Sequence, residues 1–168
     1  MSHLADRQIG ALAEVAALLD SSGFDYWLFG GWAVDFHVGA VTRRHNDIDL
    51  AVWANDAGAI RSALDAKRWE HRPAAEEDGG IGYERDGVRV ELTYMAKSAS
   101  GEVFIALRDR NVLWTERLLG DRVLGLDGAH IRVIPLELLK DGKSRPRDDP
   151  DEAAADRADF DALLRLAP

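Results

Sequence analysis

Two aspartates, Asp47 and Asp49, stand one residue apart in the run Asn46-Asp47-Ile48-Asp49-Leu50, and a third acid, Glu91, sits in Val88-Arg89-Val90-Glu91-Leu92-Thr93-Tyr94. On a strand, residues two apart leave the same face, so Asp47 and Asp49 project together while Ile48 and Leu50 point into a core. Side-by-side carboxylates raise each other's pKa unless something positive stands between them. A hard divalent cation such as Mg²⁺ meets that need with oxygen ligands. The same pair also reads as a solvated strand face. Arg89, Glu91 and Thr93 share a face of their own strand. If that strand neighbours the one carrying the aspartates, three carboxylates converge, and such a trio can hold two Mg²⁺ ions about 4 Å apart for in-line phosphoryl displacement. Glu91 would then stand where it can take a proton from an attacking hydroxyl. A glutamate on the wet side of a hairpin is the alternative.

A second set of residues suits an anion. Gly30-Gly31 falls between an apolar run and a helical one. Glycine lets the backbone approach a ligand closely, and a helix N-terminus offers unpaired N–H groups to phosphate. A strand-to-helix turn also uses glycine for steric reasons alone. Thr42-Arg43-Arg44-His45 immediately precedes the acidic run, so Arg43 is a candidate phosphate contact; Lys140 and Lys143 are two more.

These residues need elements to hold them. Residues 4–19 carry apolar side chains at helical spacing, and 24–29 form a short apolar and aromatic strand that the glycines cut off. Residues 32–38 give two helical turns, and 47–53 a β-branched, alternating strand. Asn55 or Asp56 caps a helix running to Ala66. Asp86-Gly87 joins strands 81–85 and 88–94 in a two-residue hairpin, and Asp127-Gly128 does the same within 123–134. Residues 102–107 add a strand, 111–119 read as a short helix, and Pro135 opens a helix reaching Lys140. The polar stretch 141–150 reads as a loop, after which Asp149 caps a last helix with Pro150 at its first position. The pattern is α+β, or α/β-like: a mixed sheet flanked by helices, in a single domain spanning residues 1–168.

Composition narrows the function classes. With no cysteine, disulfides and thiolate metal sites are excluded. The net charge of −9 argues against generic nucleic-acid binding and suits a cationic small molecule. The first residues lack the basic flank and apolar run of a signal peptide, and no apolar stretch is long enough to cross a bilayer. A cytoplasmic, membrane-free monomer or homodimer is expected.

Gly30-Gly31-Trp32 followed by Thr42-Arg43-Arg44-His45-Asn46-Asp47-Ile48-Asp49-Leu50 resembles the polymerase-β-like nucleotidyltransferase superfamily. More narrowly it is similar to the small aminoglycoside 2″-nucleotidyltransferases and lincosamide nucleotidyltransferases. Glu91 falls where that group's third acid belongs, and Pro135, with the residues up to Lys140, resembles its following helix. Asp156, Asp159 and the leucine beyond them resemble its Lys-Asp-x-x-Asp ending, with Ala155 in place of the lysine, which leaves Lys140, Lys143, Arg145 or Arg147 to supply a phosphate contact there. The acids of that ending also read as an exposed helix face. The resemblance implies the nucleotidyltransferase fold with a C-terminal helix. It also implies Mg²⁺ on Asp47, Asp49 and Glu91, and an NTP, ATP foremost, with its phosphates near Gly30, Gly31 and Arg43. Glu91 would be the base, and the acceptor the hydroxyl of a small antibiotic, aminoglycoside before lincosamide. Two other readings stand beside it: an antitoxin-like nucleotidyltransferase that modifies a partner protein, and a non-catalytic nucleotide-binding module.

Overall fold

The computed structural model describes residues 3–72, 79–107, 111–114 and 119–166. Helix α1 (His3–Ser21) buries Ile9, Leu12, Val15, Ala16 and Leu19, the stripe its sequence spacing implies. Strand β1 (Tyr26–Phe29) leads into α2 (Gly30–Val38), and β2 (Ile48–Trp53) leads through a 3-10 turn, Ala54–Asp56, into α3 (Ala57–Ala66). There follow β3 (Glu70–Arg72), β4 (Gly80–Arg85), β5 (Val88–Lys97), β6 (Val103–Ala106), β7 (Asn111–Trp114), β8 (Val123–Leu126) and β9 (Ala129–Arg132). Helices α4 (Leu136–Lys143) and α5 (Pro150–Leu164) complete the described chain.

Seven strands form one mixed sheet in the order β1-β2-β5-β4-β3, with β6 continuing along β5 and β7 along β6. The pair that matters most is β2 with β5, which run parallel. Both of their core-facing rows are shut off from water: Ile48, Leu50 and Val52 on one strand, Val90 and Leu92 on the other. Burying that row fixes the register, because a slip of one residue would turn the acids inward. Helix α1 packs on β5, β9 and α3, while α2 packs on β1, β2, α4 and α5. The β8–β9 hairpin joins the sheet beside β1, where Leu28 O accepts from Ile134 N–H at 3.0 Å.

Both two-residue turns have the backbone their sequences demand. Asp86 and Gly87 lie at φ 52 and 73, and Asp127 and Gly128 at 48 and 84, the positive pair of a type I′ turn. Asp149 caps α5 by accepting from the N–H groups of Asp151 and Glu152.

The sequence reading errs in three places. Residues 111–114 form β7 rather than a helix, because Asn-Val-Leu-Trp completes the ladder of β6 and pairing outweighs local propensity; residues 115–118 of that expected helix lie outside the described ones. Strand β3 was not anticipated, its three residues Glu-His-Arg having no apolar face to signal it. Helix α4 runs on to Lys143, into the stretch read as a loop. Among the described residues, no helix is long and apolar enough to cross a membrane.

Candidate functional site

The register places Asp49 opposite Glu91 on one side and opposite Phe29 on the other. Asp47 comes two residues before Asp49, just ahead of β2. The two strands therefore carry the three acids to one edge of the same sheet face. Arg89 turns toward Glu91, its Nη2 3.4 Å from Oε1. Crowding shows in the electrostatics. Burial, then the Asp47 and Glu91 charges, push the Asp49 carboxyl up to about 8, against the opposing pull of Lys143 and Arg147. Burial and Asp47 likewise raise Glu91, opposed by Arg89.

The acids thus form a set that cannot comfortably ionise together without a cation. As the side chains stand, no three His, Cys, Asp or Glu groups among the described residues are gathered tightly enough to grip one ion. The donor chemistry, three hard carboxylate oxygen donors from adjacent backbone positions, fits Mg²⁺.

The two glycines make room for this arrangement. Gly30 has φ +67, and a Cβ there would fall 1.9 Å from Asp49 Oδ2. A Cβ on Gly31 would fall 2.5 Å from both Arg43 Nη2 and His45 Nδ1. The chain's own acid and its own cation fill the space that the missing side chains leave. Close approach, expected of a ligand, is here first of all an approach of Asp49 and Arg43 to the turn. His45 is locked from behind: its Nε2–H donates to the fully buried Asp35 at 2.6 Å, its ring lies 4.6 Å from that of Trp32, and its carbonyl accepts from Gln8. Thr42 donates to the same Asp35 through its N–H and its hydroxyl. Asp35, in the middle of α2, therefore holds the loop that carries Arg43.

The cations meet acids on α5. Arg43 makes a two-pronged pair with Asp159, Nε and Nη2 donating at 2.6 and 2.8 Å. Lys143 bridges Asp156 and Asp159, 2.7 Å from each, and Arg147 Nε donates to Asp156 at 2.7 Å. Asp159 is wholly buried and Asp156 nearly so. The exposed-face reading of these acids is thereby overturned. Their spacing with buried Leu163 was the available signal, since residues 156, 159 and 163 fall on one helical stripe. Lys140 stands apart, 4.0 Å from Glu137 on its own helix.

Of the aromatic residues that could wall a cleft, Trp32, Trp69 and Tyr83 belong to the core. Trp53 and Trp114 lie on the acid face by register and are half-buried. The ring of Trp114 meets Phe29 edge-on at 5.6 Å. Those residues are on strands four steps apart, which a flat sheet would separate by roughly 19 Å. The β6–β7 ribbon must therefore curl over the face that carries Asp49 and Glu91. Phe29 escaped sequence reading because an aromatic closing a strand looks like core.

Comparison with known proteins identifies the family and the fold. The sequence matches the family described as aminoglycoside-2″-adenylyltransferase over residues 11–138, well over half of the chain. A 2″-aminoglycoside nucleotidyltransferase of Klebsiella pneumoniae is 33% identical over 58 residues, 34% of this chain and 33% of that protein. One from Escherichia coli matches to the same extent. The aligned stretch thus spans about a third of these curated relatives. Among solved structures, the lincomycin-bound lincosamide antibiotic adenylyltransferase LnuA superposes with a TM-score of 0.72 at 18% identity, over 92% of this chain and 94% of that one. The complex of ANT(2″)-Ia with adenylyl-2″-tobramycin superposes with a TM-score of 0.67 at 19% identity, over 94% and 90%. At such identities the likeness is one of fold, and the fold is that of the nucleotidyltransferases.

Proposed function

The chain belongs to the aminoglycoside-2″-adenylyltransferase family, and from that premise we propose that it is a Mg²⁺-dependent O-nucleotidyltransferase acting on a small antibiotic. It moves a nucleoside monophosphate from an NTP, ATP foremost, to an acceptor hydroxyl, on an aminoglycoside ahead of a lincosamide. The observation that carries this reading is the in-register placement of Asp49 against Glu91, with Asp47 two residues earlier.

Asp47, Asp49 and Glu91 would hold Mg²⁺, whose chemistry here is to neutralise charge on the phosphates and the attacking oxygen. Glu91 takes the acceptor's proton as the hydroxyl oxygen bonds to the α-phosphorus, and the bond from that phosphorus to the bridging oxygen breaks to release pyrophosphate. Gly30 and Gly31 bring the start of α2 beside Asp49, with Arg43 and Lys143 as cations on the phosphate side and Lys140 as an outlying one. Catalysis in this scheme is mostly positioning and charge neutralisation. The chain works as one domain, monomer or homodimer, in the cytoplasm, where NTP and Mg²⁺ are available.

The aminoglycoside acceptor is supported by the relatives' activity and by the net charge of −9, which attracts a polycation. Incubation with Mg²⁺, labelled NTPs and a panel of aminoglycosides and lincosamides should give a nucleotidylated drug and pyrophosphate. Transfer to a co-purified protein and to no small acceptor would instead establish the antitoxin-like activity. Tight NTP binding without transfer to anything would establish a binding module.

A further inference from the structure

Cations are in the minority in this chain, 21 against 30 acids. One cavity reverses that balance. About 500 Å³ in volume, it lies between the end of α4, the following loop and α5, and Lys143, Arg145, Arg147 and Arg157 line it together with Asp156, Asp161 and Phe160. Lys143, in its wall, shares Asp159 with Arg43, and Arg43 lies against Gly31 beside the glycine that abuts Asp49, so this pocket borders the acid site rather than lying on a remote surface.

The cations there are not equally free. Lys143 is only 9% exposed and sits between two buried carboxylates. Arg43, outside the cavity, spends both prongs on Asp159. Arg145 pairs with Asp141 one turn back, at 2.6 Å. Arg147 differs. Asp156 holds it through Nε alone, Glu152 comes no nearer than 3.9 Å to Nη1, and the side chain is 47% exposed. An arginine anchored at Nε keeps its outer nitrogens for a second anion, and its planar fork can present both of them to two oxygens of a phosphate.

Resting on the NTP-transfer reading above, we infer that Arg147, aimed by Asp156, binds the β- and γ-phosphates of the NTP, and that this cavity receives the pyrophosphate leaving group. Asp156 acts as a positioning residue: it does not touch the nucleotide but fixes the angle of the arginine that does. The α-phosphate remains with the acid site, so the contact distinguishes a triphosphate from a monophosphate.

The test is calorimetric binding of ATP, AMP and inorganic pyrophosphate, with Mg²⁺ present, to the wild-type chain and to Arg147→Ala, Arg147→Lys and Asp156→Asn, each checked for folding by circular dichroism. Loss of one charge-assisted contact predicts an affinity lower by about ten- to a hundredfold for ATP and pyrophosphate in Arg147→Ala, with AMP unchanged. Arg147→Lys should recover part of the loss, and Asp156→Asn should weaken pyrophosphate while sparing AMP. Pyrophosphate affinity within twofold of wild type in Arg147→Ala, or an equal loss for AMP, overturns the inference while leaving the transferase reading intact. A wild-type chain that binds neither ATP nor pyrophosphate overturns both.

Discussion

At the scale of single residues, the site is a problem in charge that the folded chain leaves half solved. Asp47, Asp49 and Glu91 crowd together, and Asp49 bears the result as a carboxyl raised to about 8 from its ordinary 3.8. A carboxyl raised in the fold is protonated there while the unfolded chain has already released its proton. The metal-free protein therefore loses stability from this group as pH climbs from about 4 to 8, and no more beyond. Mg²⁺ competes with that proton. The melting-temperature gain from Mg²⁺ should thus be larger at pH 8.5 than at pH 6, and Asp49→Asn should flatten the difference; an equal gain at both pH values would dissociate the metal from Asp49. Transfer assays provide a second check. Asp47→Asn or Asp49→Asn should abolish measurable turnover with the circular dichroism unchanged. Glu91→Gln should lower kcat by about 10²–10⁴ while nucleotide affinity holds, the range expected for loss of a general base. An unchanged rate in that variant would remove Glu91 from the role.

At the scale of elements, two joints hold the site: the turn from β1 into α2, and the docking of α5. Gly30→Ala places a side chain both in a left-handed backbone and against Asp49. The backbone cost alone, about 1–2 kcal/mol, predicts a fall in melting temperature of roughly 2–8 °C, measured by calorimetry. For Asp159, burial pushes the carboxyl up, but hydrogen bonds from Arg43 and Lys143 outweigh it and the net shift is downward. Its stabilisation is present above the ordinary carboxylate range and is lost as pH falls through the lowered value. Asp159→Asn should therefore cost about 2–3 kcal/mol at neutral pH, toward the lower end for a broken buried pair because Arg43 is part-exposed, and the gap to wild type should narrow in acid. A gap independent of pH would point to packing instead of charge. These joints were unequally legible. The strand acids follow from period-two alternation, and the Asp-Gly turns from residue type. The destination of Arg43 does not, since its partner lies 116 positions away and no local pattern reports a pairing of that range. Ala155 in place of the lysine left Lys140, Lys143, Arg145 and Arg147 as the candidate cations, and it is Arg147 and Lys143 that pair with the neighbouring Asp156.

At the scale of the whole molecule, an acidic surface surrounds a locally basic pocket. A field of net charge −9 should favour the approach of a polycation and be screened by salt. KM for an aminoglycoside should rise several-fold between about 50 and 500 mM salt, where the screening length shrinks from roughly 14 to 4 Å, while KM for an uncharged acceptor stays level. Parallel rises for both would assign the effect to nucleotide binding. The overall architecture was readable because its helices and most strands carry their own periodicity. The curl of β6 and β7 was not, because it is a property of the sheet and not of any segment. The pairing of Arg43 with Asp159 also orders events in time. Synthesis proceeds from the N-terminus, so the glycines, the acid trio, Lys143 and Arg147 all exist before Asp159 has been made. Until that residue is made and α5 docks, Arg43 lacks the carboxylate that orients it and Lys143 lacks one of its two. The growing chain thus acquires the three acids early and the ion pairs that set its cations last, and a ribosome-bound chain stalled before Asp159 lacks the carboxylate that orders Arg43 and Lys143.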